Sequence, residues 1–367
     1  MDFTPTEEQA AARDLAARIF GDLATPERLT AAGTGSDPEL WKVLSAAGLV
    51  GAVEELGLLG LVLLLEEQGR STAQAPFAST CVYGLLAVAA HGSAEQRERL
   101  LPGIGDGSVV VCGAFPAQGG VRASARGELS GTVPVVPWLR DATHVLVADD
   151  RRRLWLTPVA DGTHIEAVEL TAPWSAGRLT LDGAAAERLG ATDAHFGDEV
   201  QQPPSYSSSP YTDVLATART AFAGLQAGVC AGSLARAVAH TNTREQFGRP
   251  LATRQAVQLR AADAHMDIEA IRVTAYEAAW RRDAGLPYAT HALTAAWWAS
   301  EAGTRVVHTG QHLHGGAGAD LDHPVHRHFL WGRQLDAYLG CGGEVLQELG
   351  ELIVNEDSEE NEENEKS

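Results

Sequence analysis

The chain divides into three blocks with different residue patterns. Their order limits the possible folds more than any other feature of the sequence. Residues 1–107 carry apolar residues at helical spacing, and Thr4 or Thr6 can cap the first helix. Residues 108–191 hold short β-branched segments separated by turn residues, a pattern typical of a small β-barrel or sandwich. Residues 214–354 contain four long helical stretches. The sequence therefore predicts an α+β fold with an N-terminal helical domain, a middle β-domain and a C-terminal four-helix bundle.

Two polar segments flank the last of these blocks. Residues 192–213 include three prolines and a run of serines, which predicts a long exposed loop. Residues 355–367 carry seven acids against one lysine and have no apolar face. Because such a segment cannot offset the entropy of ordering, we expect a disordered acidic tail there.

The charge balance and the cysteines restrict the partners and the compartment. The chain has 28 basic and 48 acidic residues and a net charge of −20, which disfavours nucleic acids and anionic membranes as partners. Its four cysteines lie far apart and predict reduced, unpaired thiols. We find no basic, apolar leader and no apolar run of the roughly 18 residues that a membrane helix needs. The expected location is the cytoplasm.

Two motifs in the last third of the chain carry a family resemblance. The first is Arg-Glu-Gln-Phe-Gly-Arg-Pro-Leu at residues 244–251, followed by Gln255. The second is His-Leu-His-Gly-Gly-Ala-Gly at residues 312–318. Together with the domain order, they make the chain resemble the acyl-CoA dehydrogenase family from about Asp2 to Ile353. The segment 313–340 is most similar to actinobacterial enzymes that degrade steroid side chains, which work as α2β2 pairs of unlike subunits.

The resemblance implies FAD as the cofactor and names the residues that would contact it. It places Arg244 on the pyrophosphate of a flavin bound mainly by the neighbouring subunit, where the planar guanidinium suits an anion. Phe247 would pack on the cofactor, and Arg254 would add charge. Gly315 and Gly316 would let the backbone approach the adenine end. The family has a glutamine three residues before the first of these glycines, and here Gln311 and His312 are the candidates.

The catalytic base that the family requires is missing at both of its usual positions. Dehydrogenation needs a carboxylate that removes the α-proton, while the flavin takes a hydride from the β-carbon. The turn after the glycine motif has Leu339 where the family has an acid, and residues 215–220 contain no acid either. The β-domain segments 114–121 and 136–139 also depart from the family's flavin cradle. We therefore expect no catalytic residue in this chain.

These features favour one function and leave two others open. The favoured function is the base-lacking subunit of a heteromeric dehydrogenase that forms a trans-2-enoyl-CoA from a bulky, steroid-type acyl-CoA. Its partners would be a homologous catalytic subunit, the acyl-CoA and an external electron acceptor. One alternative is a self-sufficient homo-oligomeric enzyme with Asp336 or Glu344 as a relocated base. The other is a flavin-free structural protein on the same fold.

A pair of histidines and a pair of tryptophans are both interpreted as structural. His308 and His312 lie four residues apart, as a zinc pair would, but no third ligand has suitable spacing. We predict no metal site. The adjacent Trp297 and Trp298 point in different directions on a helix, so we expect them in the core or in an interface rather than in a substrate platform.

Overall fold

The computed structural model describes residues 2–190 and 209–365, and describes side chains as far as Val354. Seven helical segments precede the first strand. They are α1 (Glu7–Leu23), α2 (Pro26–Ala32), α3 (Pro38–Ala46), α4 (Leu49–Ser71), α5 (Phe77–Ser79), α6 (Ala87–His91) and α7 (Ala94–Gly105). A π-helical turn, Thr80–Leu86, joins α5 to α6. Thr6 caps α1 in a reciprocal capping box with Gln9, which selects Thr6 over Thr4.

An apolar run from Leu58 to Leu65 forms the buried second half of α4. A kink at Gly57, with φ of 73°, separates the two halves of this helix. The carboxylate of Asp283 accepts the N–H groups of Leu58 and Leu59 at 2.8 and 2.9 Å, so it caps the second half. Because Asp283 ends a helix of the C-terminal bundle, this cap ties the first block to the last.

Eight strands between residues 111 and 188 build two four-stranded sheets. One sheet has the order β1-β4-β5-β8 and the other β2-β3-β7-β6. The β1–β4 pair is parallel and the other pairs are antiparallel. The strands are β1 (Val111–Ala114), β2 (Val121–Ala123), β3 (Glu128–Val136), β4 (His144–Ala148), β5 (Leu154–Pro158), β6 (Thr163–Ala167), β7 (Gly177–Ala185) and β8 (Glu187–Arg188). The sheets bury a core of their own that includes Trp155 and Leu179.

The last block is a helical bundle built around one central helix. Its elements are α8 (Pro210–Thr243), a two-stranded hairpin of β9 (Glu245–Gln246) and β10 (Arg249–Pro250), α9 (Gln255–Asp283), α10 (Ala289–His314), α11 (Pro324–Asp336) and α12 (Gly342–Glu365). Helix α8 packs against α4, α9, α10 and α11. A Cβ added at Gly228 would lie 2.1 Å from the Glu66 carbonyl oxygen, so glycine permits the close crossing of α8 and α4.

The fold class is confirmed, and three predicted boundaries need correction. Helix α8 begins at Pro210, because Ser209 caps it and proline suits its first turn. The remainder of the predicted loop, residues 192–208, lies outside the described residues. The predicted fourth helix is two helices, since the chain turns at Gly340 with φ of 103°. The predicted acidic tail has helical backbone to Glu365, because it continues α12 and glutamate favours helix.

Helix α8 is the one described helix that is long and apolar enough by itself to cross a membrane, and α3 with α4 would qualify only as a pair bent by 75°. Within the most apolar window of α8, 78% of the residues are buried inside the protein. That burial is what the central helix of a bundle requires.

Candidate functional site

The arginine motif leaves the bundle as an exposed hairpin. Arg244 follows the last residue of α8 in extended conformation, and its N–H donates to the His240 carbonyl at 2.8 Å. Phe247 and Gly248 form the turn with φ of 55° and 75°. The Phe247 side chain is 90% exposed, which is unusual for a phenylalanine. The hairpin thus leaves this aromatic ring exposed rather than packed in the core of the chain.

Arg254, which directly precedes α9, contacts two residues of this hairpin. Its guanidinium carbon lies 5.1 Å from the centre of the Phe247 ring, and its Nη2 donates to the Gln246 carbonyl at 3.0 Å. Its buried Nε has no hydrogen-bond partner among the residues that the structure describes. Arg254 therefore supports the exposed ring and keeps a donor available at the base of the hairpin.

The glycine motif forms a tight turn at the end of α10. Gly315 has φ of 63°, a conformation that favours glycine, and residues Gly315–Ala319 form a short 3₁₀ turn. Added Cβ atoms at Gly315 and Gly316 would meet nothing within 4 Å, so the backbone there faces open space. Gln311 Nε2 donates to the Gly318 carbonyl at 3.1 Å, whereas His312 is exposed.

Both motifs lie at the same end of the bundle. His240, one turn before Arg244, stacks on His314, which directly precedes Gly315, with ring centroids 4.7 Å apart. Burial and the neighbouring rings of His314 and His323 lower the pKa of His240, and Arg244 lowers it further. The structure thus brings the predicted residues Arg244, Phe247, Arg254, Gln311, His312, Gly315 and Gly316 to one end of the bundle, although they come from two distant segments.

The two positions where the resemblance places a catalytic acid are close together and contain no acid. Leu339 is buried, and the neighbouring Tyr338 forms a 2.8 Å hydrogen bond with the Tyr83 hydroxyl. Arg219 is 7% exposed and makes a two-pronged ion pair with Glu348, with N···O distances of 2.8 and 2.6 Å. Arg219 Nη2 lies 3.5 Å from the Leu339 carbonyl oxygen. The Arg219–Glu348 ion pair therefore lies next to Leu339.

Buried aromatic rings fill the space between the β-domain and the bundle. Trp138 stacks on Trp174 with centroids 4.3 Å apart and on Phe222 at 6.0 Å. Tyr338 meets Phe222 edge-on at 4.8 Å. We call Trp138, Trp174, Phe222 and Tyr338 the aromatic plug. Because Trp138 and Trp174 are each 1% exposed, the protein covers both faces of these two indole rings.

The β-domain segment 114–121, which departs from the family pattern, contributes to the same packing. Phe115 stacks between Tyr83 and Tyr211, with centroid distances of 5.3 and 5.5 Å. The Tyr211 hydroxyl accepts the N–H of Ala117 at 3.0 Å. The sequence identified this segment as altered but did not reveal the plug, whose rings come from four regions of the chain. The large residues at altered motif positions, Phe115 and Trp138, were the available signal.

Asp336 and Glu344 both have structural partners. The Asp336 carboxylate accepts from Ser300 Oγ and from Arg333 Nη1, the latter at 3.0 Å. Glu344 Oε2 accepts the N–H of Cys341 at 3.1 Å, at the start of α12. Asp336 therefore links α11 to α10, and Glu344 caps the start of α12.

The histidines and tryptophans set aside in the sequence also have packing partners. The described residues contain no group of three potential ligands that could hold a metal ion. His308 meets Phe329 edge-on at 5.0 Å. Trp297 packs in the apolar cluster between α10 and α12, and Trp298 packs against the main core.

Comparisons with known proteins agree with this architecture. Residues 6–108 match the family description "Acyl-CoA dehydrogenase, N-terminal domain", and residues 211–348 match "Acyl-CoA dehydrogenase, C-terminal domain". A helical domain, paired small sheets and a bundle with both motifs define a dehydrogenase of the flavoprotein class. The chain belongs to the acyl-CoA dehydrogenase family.

Relatives align over almost the whole chain. Acyl-CoA dehydrogenase FadE27 of Mycobacterium tuberculosis is 33% identical over 96% of this chain and 99% of its own length. The structure titled as the Tcur3481–Tcur3483 steroid ACAD superposes with a TM-score of 0.87 at 41% identity, over 96% of this chain and 99% of the other. The ChsE4–ChsE5 complex from Mycobacterium tuberculosis gives a TM-score of 0.86 at 31% identity with the same coverage.

Proposed function

We propose that this chain is the base-lacking subunit of a heteromeric, FAD-dependent acyl-CoA dehydrogenase. One observation carries the proposal: Leu339 stands at one position where the resemblance expects an acid, residues 215–220 at the other contain none, and the motif residues at the end of the bundle face outward. A leucine accepts no proton, and Arg219, although paired with Glu348, would stabilise the charged form of a nearby carboxylate and so weaken it as a base. The base and most of the flavin pocket would then belong to a homologous partner.

The residues of this chain would bind and orient the partner's FAD. When bound, FAD supplies the hydride acceptor for the β-carbon of the acyl chain. Arg244 would hold the pyrophosphate with its fixed fork of donors. Phe247, supported by Arg254, would cover part of the cofactor. Gly315 and Gly316 would admit the adenine end, with Gln311 or His312 as a hydrogen-bonding neighbour.

A flavin of this chain's own fits poorly. The family's cradle for the ring lies between the β-domain and the bundle, and here the aromatic plug fills that region. Expelling Trp138 or Phe222 would expose large apolar surfaces and leave their partners unpacked. This packing favours one flavin site for each pair of unlike subunits.

The substrate class follows from the relatives and from the missing second site. One solved relative, 41% identical over 96% of this chain, is titled a steroid ACAD, and another is a complex of two different subunits. We therefore propose a bulky, steroid-type acyl-CoA as the substrate and its trans-2-enoyl-CoA as the product. The electrons would pass through FAD to an external acceptor.

The test is to change the hairpin of this chain within the co-purified complex. Replacing Arg244 with alanine should lower FAD affinity at least tenfold, because a buried charge-assisted contact is worth about 1.5–3 kcal/mol. The matched control is Arg249→Ala, an exposed arginine on the same hairpin, which should leave the affinity within about twofold. An unchanged FAD affinity in R244A would refute the shared site.

The two alternatives make different predictions for the same preparations. A self-sufficient enzyme would oxidise acyl-CoA without a partner and lose that activity on Asp336→Asn or Glu344→Gln. Both acids are already engaged in hydrogen bonds within the protein, which disfavours this function. A flavin-free structural protein would give a colourless complex, and the exposed Phe247 disfavours it.

A further inference from the structure

A stack of imidazole rings joins the two motifs at the end of the bundle. The rings of His240 and His314 lie with centroids 4.7 Å apart and planes at 26°. His323, which caps α11, meets His314 edge-on at 4.9 Å. Side chains from the ends of α8 and α10 and the start of α11 therefore meet at the base of the hairpin and the glycine turn.

Backbone contacts link this stack directly to the two motifs. His314 is 6% exposed, and its Nδ1–H donates to the Gly310 carbonyl at 2.7 Å. The next residue is Gly315, where the chain turns. On the other side, the His240 carbonyl accepts the N–H of Arg244 at 2.8 Å. A shift of either ring would therefore displace the hairpin or the glycine turn.

We infer that His240 and His314 are positioning residues, which hold the arginine hairpin and the glycine turn in a fixed relation so that both reach one flavin. The inference rests on the proposed function, in which the two motifs contact the same cofactor. Aromatic stacking suits this role, because two rings fix a distance and an orientation without an added charge.

The surroundings of the stack make it sensitive to acid. Burial, His314 and Arg236 lower the pKa of His323, against an opposite effect of Asp320. The pKa of His240 is lowered as well. The imidazole rings of His240 and His323 are therefore neutral near pH 7. Their contribution to the stability of the folded protein is lost as the pH falls below their unfolded-state pKa of about 6.5. The charged or titratable groups around the stack are His323, Asp320, Arg236 and Arg244.

The experiment measures FAD dissociation from the complex co-purified with the homologous subunit, between about pH 5.5 and 7.5. His314→Ala should weaken FAD binding about 3- to 10-fold at pH 7.5, the worth of an aromatic pair. His314→Phe keeps an aromatic ring against His240 and should recover most of this loss. His308→Ala, an exposed histidine two turns earlier on α10, is the control and should change nothing.

The outcomes separate the inference from the proposed function. If R244A weakens FAD binding and H314A does not, the positioning role is wrong and the shared site stands. If R244A has no effect, the shared site itself fails. Should H314A not assemble, H314F and His240→Phe carry the test, since both keep an aromatic contact. FAD binding more than about 3-fold weaker than wild type in both phenylalanine variants, although each keeps the aromatic contact, would overturn the inference.

Discussion

Replacing Trp138 with alanine tests whether the aromatic plug is packing or part of a flavin site. The indole is 1% exposed and contacts Trp174 and Phe222, so its removal leaves a large cavity in the core. Such a truncation costs about 3–5 kcal/mol of unfolding free energy. Trp138→Phe keeps a ring in the stack and should cost less than about 2 kcal/mol.

The assay has two parts, chemical unfolding of the complex and its FAD content per heterodimer. Packing alone predicts a large drop in stability for W138A and no change in FAD content for either variant. Trp297→Ala is the control for size, because this tryptophan is only partly buried between α10 and α12 and should cost less. If the wild type holds two FAD per heterodimer and W138A holds one, Trp138 contacts a flavin and the reasoning is refuted.

Three further predictions concern packing and charge. Arg219→Met alone should destabilise the complex by about 1–3 kcal/mol, because Glu348 is left partly buried and unpaired. The double change with Glu348→Met should recover much of this loss. A double-mutant cycle of unfolding free energies measures the difference. Gly228→Ala should cost about 1–3 kcal/mol through its clash with α4. Gly21→Ala, in the last turn of α1 where an added Cβ meets nothing within 4 Å, should stabilise by up to about 0.5–1 kcal/mol; equal shifts in melting temperature would contradict the packing. Burial lowers the pKa of His328 to about 4, so stability should fall as the pH drops from about 6.5 to 4, and His328→Gln should flatten this dependence in unfolding experiments across that range.

Local sequence signals predicted the elements of the fold well. The capping residues, helical periodicity and β-branched segments each act within a few neighbouring residues, so Thr6, α4 and most strands could be located. The break before α12 is short, and helical patterns continue on both sides of the glycine-rich residues 340–343, where Gly340 has φ of 103°. The acidic segment was assigned as disordered because composition favours disorder, although a packed helix precedes it.

In the candidate site, too, local features could be predicted from the sequence, whereas contacts between distant residues could not. The two motifs are contiguous in the sequence, so their residues could be named, but not their meeting through His240 and His314. The Phe222–Tyr338 contact of the aromatic plug and the Arg219–Glu348 pair join residues more than a hundred positions apart. No periodicity or spacing encodes such contacts, and only the packed fold shows them.

The most direct test of the shared site is the flavin absorbance of this chain, purified alone and after co-expression with its homologous dehydrogenase subunit. The account predicts a colourless chain alone and a yellow complex with one FAD per heterodimer. A lone chain that binds stoichiometric FAD and oxidises acyl-CoA would contradict it, and Asp336 would then be the first residue to replace.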